Sequence, residues 1–180
     1  LWDIKGKAFN QPVWKLMGGK TNDNLRVYAS QLQFNWGTNL DKQRLIHPEE
    51  YAEVTRVAMA DGYDAIKVDP IIFSDQPDGK GDWKITGPLE HKVIKTVYDR
   101  VAAMRKAGGD ALDIIVENHS NTDTTAAIQL GKALQELRIF YYEEPCHPLN
   151  VQDMVEVKNN VDIPIASGER IYTRYGYRPF

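Results

Sequence analysis

The 180-residue chain is 42% apolar and 26% charged with a formal net charge of −3, an ordinary globular profile that excludes a disordered or collagen-like chain. Acids and bases are interspersed with no basic block, so nucleic acid and anionic membrane are poor partners, and no apolar run approaches the roughly 18 residues of a membrane span. Cys146 has no second cysteine to pair with, which fits a reducing compartment and a cytoplasmic location.

Leu1 to Leu16 carries helical spacing, interrupted at Pro12 and ended by Gly18-Gly19. The chain starts inside this pattern and stops at Arg178-Pro179-Phe180, inside what reads as another helix. The expectation is therefore part of a longer polypeptide, with no signal peptide at its start. Arg26 to Ser30 reads as a short strand. Pro48 opens a helix with Glu49 and Glu50 in its first turn; Val54, Val57 and Ala58 form its apolar stripe, and Gly62 ends it. Asp64 to Asp69 reads as a strand, and Pro70 to Gly87 as a long polar loop of the kind that usually serves function.

Leu89, Val93, Val97, Val101 and Met104 predict a helix ending at Gly108-Gly109. Asp113 to Glu117 reads as a strand, Thr122 to Leu137 as a helix and Ile139 to Glu143 as a strand. Asn150 reads as the N-cap of a further helix, Ile163 to Ser167 as a strand, and a last helix starts near Thr173. Alternating strands and helices imply an α/β chain with a parallel sheet, closed either as an open doubly wound sheet or as a (β/α) barrel. Neither a dinucleotide-binding glycine fingerprint nor a P-loop is present, which weakens the first closure.

Glu117, Glu143 and Glu169 each stand at the C-terminal end of an expected strand, each 26 residues from the next. In a barrel those ends converge on one face. Three carboxylates gathered there repel, and a hard divalent cation resolves the conflict; all-oxygen ligation favours Mg²⁺. Strand-end glutamates also serve as helix caps or salt-bridge partners, which is the competing reading. Glu144 is the alternative ligand to Glu143, and strand alternation lets only one of the pair point inward. His119 follows Glu117 by two residues and is a candidate general acid or base. Lys67 ends the second strand, placed to pair with a substrate carboxylate, to act as base, or to form an ordinary salt bridge. Asp69 either lines the site or starts the loop. Phe34, Trp36 and Trp83 fall in loops, as core packing or as pocket cover. Cys146 has no evident base partner and reads as inert.

These motifs together resemble the enolase superfamily. Leu1 to Lys7 with Pro12 to Gly19 resembles its junction between capping domain and barrel. Tyr142-Glu143-Glu144-Pro145 and Ile163 to Arg170 resemble the fourth- and fifth-strand signatures of the mandelate racemase subgroup, closest to its galactonate-dehydratase-like acid-sugar dehydratases. The resemblance implies residues 1–20 as the end of an α+β capping domain and residues 21–180 as the first five strands of a TIM-type barrel. It implies Mg²⁺ ligands at Glu117, Glu143 and Glu169, with Glu117 one methylene longer than the usual Asp. It also implies an acid at His119, and substrate contacts at Lys67, Asp69 and Arg170. The implied reaction removes the proton α to a carboxylate, gives an enediolate and expels water from a small acid sugar. The implied assembly is a homo-oligomer. Lys67-Val68-Asp69 lacks the second lysine of the subgroup's racemases, and the dehydratases' basic dyad falls on sixth and seventh strands beyond residue 180. Racemisation, epimerisation, cycloisomerisation, or a silent or purely binding role on the same scaffold remain the alternatives.

Overall fold

The computed structural model describes residues 1–37, 44–75 and 84–180. Trp83 and parts of the Phe34-to-Asp41 and Pro70-to-Gly87 loops lie outside the described residues. Helices α1 (Trp2–Phe9) and α2 (Val13–Leu16) come first, split at Pro12 as the sequence predicts. Then follow α3 (Pro48–Ala60), β1 (Ala65–Val68), α4 (His91–Gly108), β2 (Asp113–Glu117), α5 (Thr124–Leu134), β3 (Tyr141–Glu143), α6 (Val151–Asn160), β4 (Ile165–Ala166) and α7 (Thr173–Tyr177). Helix starts are capped as expected. The Glu50 carboxylate accepts the amides of Ile46 and His47, and Asn150 accepts the amide of Gln152. No helix among the described residues is long and apolar enough to cross a membrane.

The strands pair in parallel in the order β1-β2-β3-β4. A doubly wound sheet reverses its order at a switch point, whereas a barrel keeps chain order, so the sequential order favours the barrel geometry. The strand expected at Arg26–Ser30 is reduced to one bridge, Ala29 to Ile66. Ala29 donates to the Ala65 carbonyl and accepts from the Lys67 amide, while Arg26 reaches Asp64 and Asp113 at the start of the sheet. Leu25 and Val27 are exposed, so nothing on the outer side extends this ladder among the described residues. β4 is also shorter than expected, because Pro164 has no amide to give and contributes only its carbonyl, to Tyr142.

Alternation divides the sheet into two faces. Ile66, Val68, Ile114, Val116 and Tyr142 are buried in one core with α3, α4 and α5. The register puts Lys67, Ile115, Glu117, Tyr141 and Glu143 on the opposite face. Behind the sheet, fully buried Arg100 of α4 donates to the carbonyls of Ile46, Pro70 and Phe73, pinning the turn that leaves β1. Burial lowers the Arg100 pKa, yet a guanidinium stays charged, so those carbonyls hold a cation.

Gly131 of α5 marks a close helix contact: a Cβ there would lie 2.6 Å from Val161 Cγ1 and 3.5 Å from Tyr142 Cε1. A Gly→Ala change in a helix gains about 1 kcal/mol of propensity, against roughly 1–3 kcal/mol for overpacking. Gly131→Ala is predicted to destabilise, by about 1 kcal/mol net, in urea unfolding. A stabilised variant would contradict this packing.

Candidate metal centre

Strand register builds the centre. Glu117 and Glu143 end adjacent strands as direct partners, and Ala166 of β4 is the next partner in the row, three residues before Glu169. Carboxylate oxygens of Glu117, Glu143 and Glu169 lie within 4.8 Å of one another. Glu117 is nearly buried, Glu143 partly so, and Glu169 is 42% exposed. Lys67 Nζ sits between the first two, 3.0 Å from Glu117 Oε2 and 3.2 Å from Glu143 Oε1. Its other side faces the Tyr28 ring, 5.2 Å from the centroid.

Burial works to lower the Lys67 pKa, but the hydrogen bonds and charges of Glu117 and Glu143 outweigh it, and the ammonium ends above its ordinary value. Burial, helped by the Glu143 charge, raises the Glu117 carboxyl above its ordinary value despite Lys67 and His119 nearby.

His119 reaches the centre by a route that strand alternation does not describe. β2 ends at Glu117, and His119 and Ser120 both take left-handed backbone (φ 49° and 58°). Non-glycine residues rarely adopt that conformation, and it marks a locally strained turn. Asn118, buried beneath it, donates to Thr122 Oγ1 and to the Tyr142 hydroxyl. His119 Nδ1 lies 2.6 Å from Asp69 Oδ2, and Nε2 lies 3.5 Å from Glu117 Oε2. An ionised carboxylate only accepts, so Nδ1 carries the proton and Nε2 faces the centre. The Asp69 hydrogen bond raises the His119 pKa, against the opposing effect of burial.

Asp69, which the resemblance implies as a substrate contact, is engaged within the chain. Its side chain is fully buried, Oδ2 is held by His119, and Oδ1 accepts the amides of Ile71 and Ile72. Its amide donates to the buried Gln33 side chain. Asp69 orients His119. The loop it starts turns back to donate two amides to Oδ1, while His119 takes Oδ2. Glu144 is likewise no partner of the cluster: it turns away on left-handed backbone and is satisfied elsewhere. Arg170 pairs with Glu169 and lies 3.7 Å from Glu144. Trp36 packs edge-on against Tyr63 with its indole N–H on Asp61, and Phe34 packs edge-on against Phe73, so neither ring stands over the centre. Sequence reasoning missed Tyr28, Gln33 and Asn118. Only Tyr28 carried a usable signal, two residues after Arg26 in an alternating run.

The donor set suits a hard cation. Glu117 Oε1 is buried and has no hydrogen-bond partner among the described residues. An orphaned buried oxygen is costly, and a cation beside it removes that cost. The carboxylates of Asp69, Glu117, Glu143, Glu144 and Glu169 also outnumber the positive charges of Lys67, His119 and Arg170. Oxygen-only ligation of this kind fits Mg²⁺.

A parallel sheet in chain order with its acidic strand ends gathered on the C-terminal edge defines a TIM-barrel-type α/β chain with its site on that face. The chain belongs to the enolase C-terminal domain-like family, whose model matches residues 50–180. It is 32% identical over 173 residues to the D-gluconate/D-galactonate dehydratase of Picrophilus torridus, covering 96% of this chain and 39% of that protein. It is 31% identical to the D-gluconate dehydratase of Thermoproteus tenax, covering 95% of this chain and 30% of that protein. A solved member of the enolase superfamily from Salmonella Typhimurium superposes with TM-score 0.92 at 52% identity, over 99% of this chain and 45% of that one. A mandelate racemase/muconate lactonizing enzyme from Sulfitobacter superposes with TM-score 0.81 at 31% identity, over 99% and 43%. The chain thus spans less than half the length of each of these relatives.

Cys146, close in sequence to the centre, is buried, and burial pushes its thiol up to about 11. A protonated, buried thiol is a poor nucleophile. The native protein is predicted to resist a disulfide-exchange reagent such as DTNB and to react once denatured. Fast labelling of the native state would contradict this placement.

Proposed function

We propose that the complete protein is a Mg²⁺-dependent dehydratase of a small acid sugar, with Glu117, Glu143 and Glu169 as the metal ligands. The observation that carries this reading is the convergence of three carboxylates around a buried oxygen that has no donor among the described residues, beside a histidine held by an aspartate. The relatives named as gluconate and galactonate dehydratases support the substrate class. Residues 1–20 would end a capping domain and residues 21–180 would form the first part of the barrel. The lone cysteine supports a cytoplasmic setting.

The reaction removes the α proton and the β hydroxyl of an α,β-dihydroxy acid, giving an enol that ketonises to a 2-keto-3-deoxy acid. When bound, Mg²⁺ would supply positive charge where negative charge develops on the substrate carboxylate. Lys67 stays charged and meets the same carboxylate. Asp69 fixes the tautomer of His119 and favours its protonated form, so Nε2 donates a proton to the departing β oxygen as the C–O bond breaks. The base that takes the α proton is assigned to strands beyond residue 180. The side chain at position 69 is committed to His119 and offers no second base just after β1, which disfavours a mandelate-type racemase.

The test is product formation by the full-length protein across gluconate, galactonate, xylonate and related acids. A 2-keto-3-deoxy acid should appear from at least one of them with Mg²⁺ present and vanish with EDTA. No product from the whole panel at millimolar Mg²⁺ would overturn the reading.

His119→Asn should slow dehydration by about 10²-fold or more while exchange of the α proton with D₂O persists, because the acid acts after proton abstraction. Equal loss of exchange and dehydration would contradict the acid role.

A further inference from the structure

We infer that Glu144 is a positioning residue for the metal centre: its buried carboxylate clamps the turn carrying His119 to the loop carrying Glu169. This rests on the metal reading above and adds a residue that touches neither metal nor substrate. Glu144 follows Glu143 directly but sits on left-handed backbone (φ 44°), which turns it away from the cluster and buries it completely. Its Oε1 accepts the Gly168 amide at 2.7 Å and the Ser167 hydroxyl at 2.9 Å. Its Oε2 accepts the Ser120 hydroxyl at 2.7 Å, with Arg170 Nη1 at 3.7 Å. The main chain repeats the connection: Ser120 donates its amide to the Glu144 carbonyl, and the Glu144 amide donates to Ala166.

The two segments so joined both need support. Ser120 adjoins His119, and consecutive left-handed non-glycine residues cost of order 1–3 kcal/mol each unless the surroundings hold them. On the other side Glu169 follows Gly168 directly, and β4 ends at Ala166, so the strand ladder does not fix the ligand. The contacts at Ser167 and Gly168 do so through Glu144, aided by the Tyr177 hydroxyl on the Gly168 carbonyl. A carboxylate suits the place because one group accepts from three donors, and charged acceptors make the stronger bonds. Arg170 lies against both Glu169 and Glu144, which extends the clamp to the ligand side chain. Residues that orient metal ligands from behind typically alter metal affinity 10–100-fold when removed.

The experiment is Mn²⁺ titration of the full-length protein followed by electron paramagnetic resonance, with circular dichroism and thermal melting alongside. Glu144→Ala should weaken Mn²⁺ binding about tenfold or more. Glu144→Gln should stay close to wild type, because its carbonyl can keep Gly168 and Ser167 while the Ser120 hydroxyl reverses to accept from the amide NH₂. A purely structural Glu144 would lower the melting temperature and leave the affinity alone. A folded Glu144→Ala protein that binds Mn²⁺ like wild type overturns the inference. If Glu144→Ala does not fold, Ser167→Ala takes its place: weaker Mn²⁺ binding supports the clamp, and wild-type binding overturns it. A wild-type protein that binds no Mn²⁺ overturns the metal reading, and this inference falls with it.

Discussion

Two glutamates held side by side by strand register are the constraint on which the rest of the site depends. Glu117 and Glu143 are direct partners at the ends of β2 and β3, so their backbones cannot separate without breaking the ladder. Like charges so placed repel, and burial penalises each further. Lys67 relieves part of that by standing between them, yet Glu117 Oε1 has no donor among the described residues. The arrangement is costly as a purely structural feature and sensible as half of a coordination shell. Glu169 brings a third carboxylate to the cluster from a more exposed loop.

Around this pair the chain uses hydrogen bonds to hold what the ladder does not. Asp69 fixes His119 across the mouth of the sheet, and Glu144 ties the His119 turn to the loop before Glu169. Arg100 secures the exit of β1 from behind. Three of the positive-φ non-glycine residues, His119, Ser120 and Glu144, belong to these ties.

Much of the frame was legible because hydrophobic periodicity and punctuation agree along the chain. Asp113–Glu117 is the same strand in sequence and structure, and Gly62 and Gly108-Gly109 end the helices they were expected to end. The three glutamates were legible as a spacing, since equal βα units return each strand end to one face. The shortened segments were not, because ladder length depends on neighbours: Ala29 has one bridge, and Pro164 cannot donate. The path of His119 was not legible either, since alternation carries no information about a left-handed turn. The partners of Asp69 were not legible in the sequence, because only the fold shows both its oxygens already engaged. Alternation did anticipate that only one of Glu143 and Glu144 could face the cluster, and the backbone at Glu144 decides which.

Glu117, Glu143 and Glu169 are proposed to hold one divalent cation together. Anomalous diffraction from crystals of the full-length protein grown with Mn²⁺ addresses this most directly. A strong peak is expected within coordination distance of all three carboxylates, with Lys67 displaced from between Glu117 and Glu143. Crystals that show no peak there, or a peak held by other residues while Lys67 stays between the two glutamates, would contradict it.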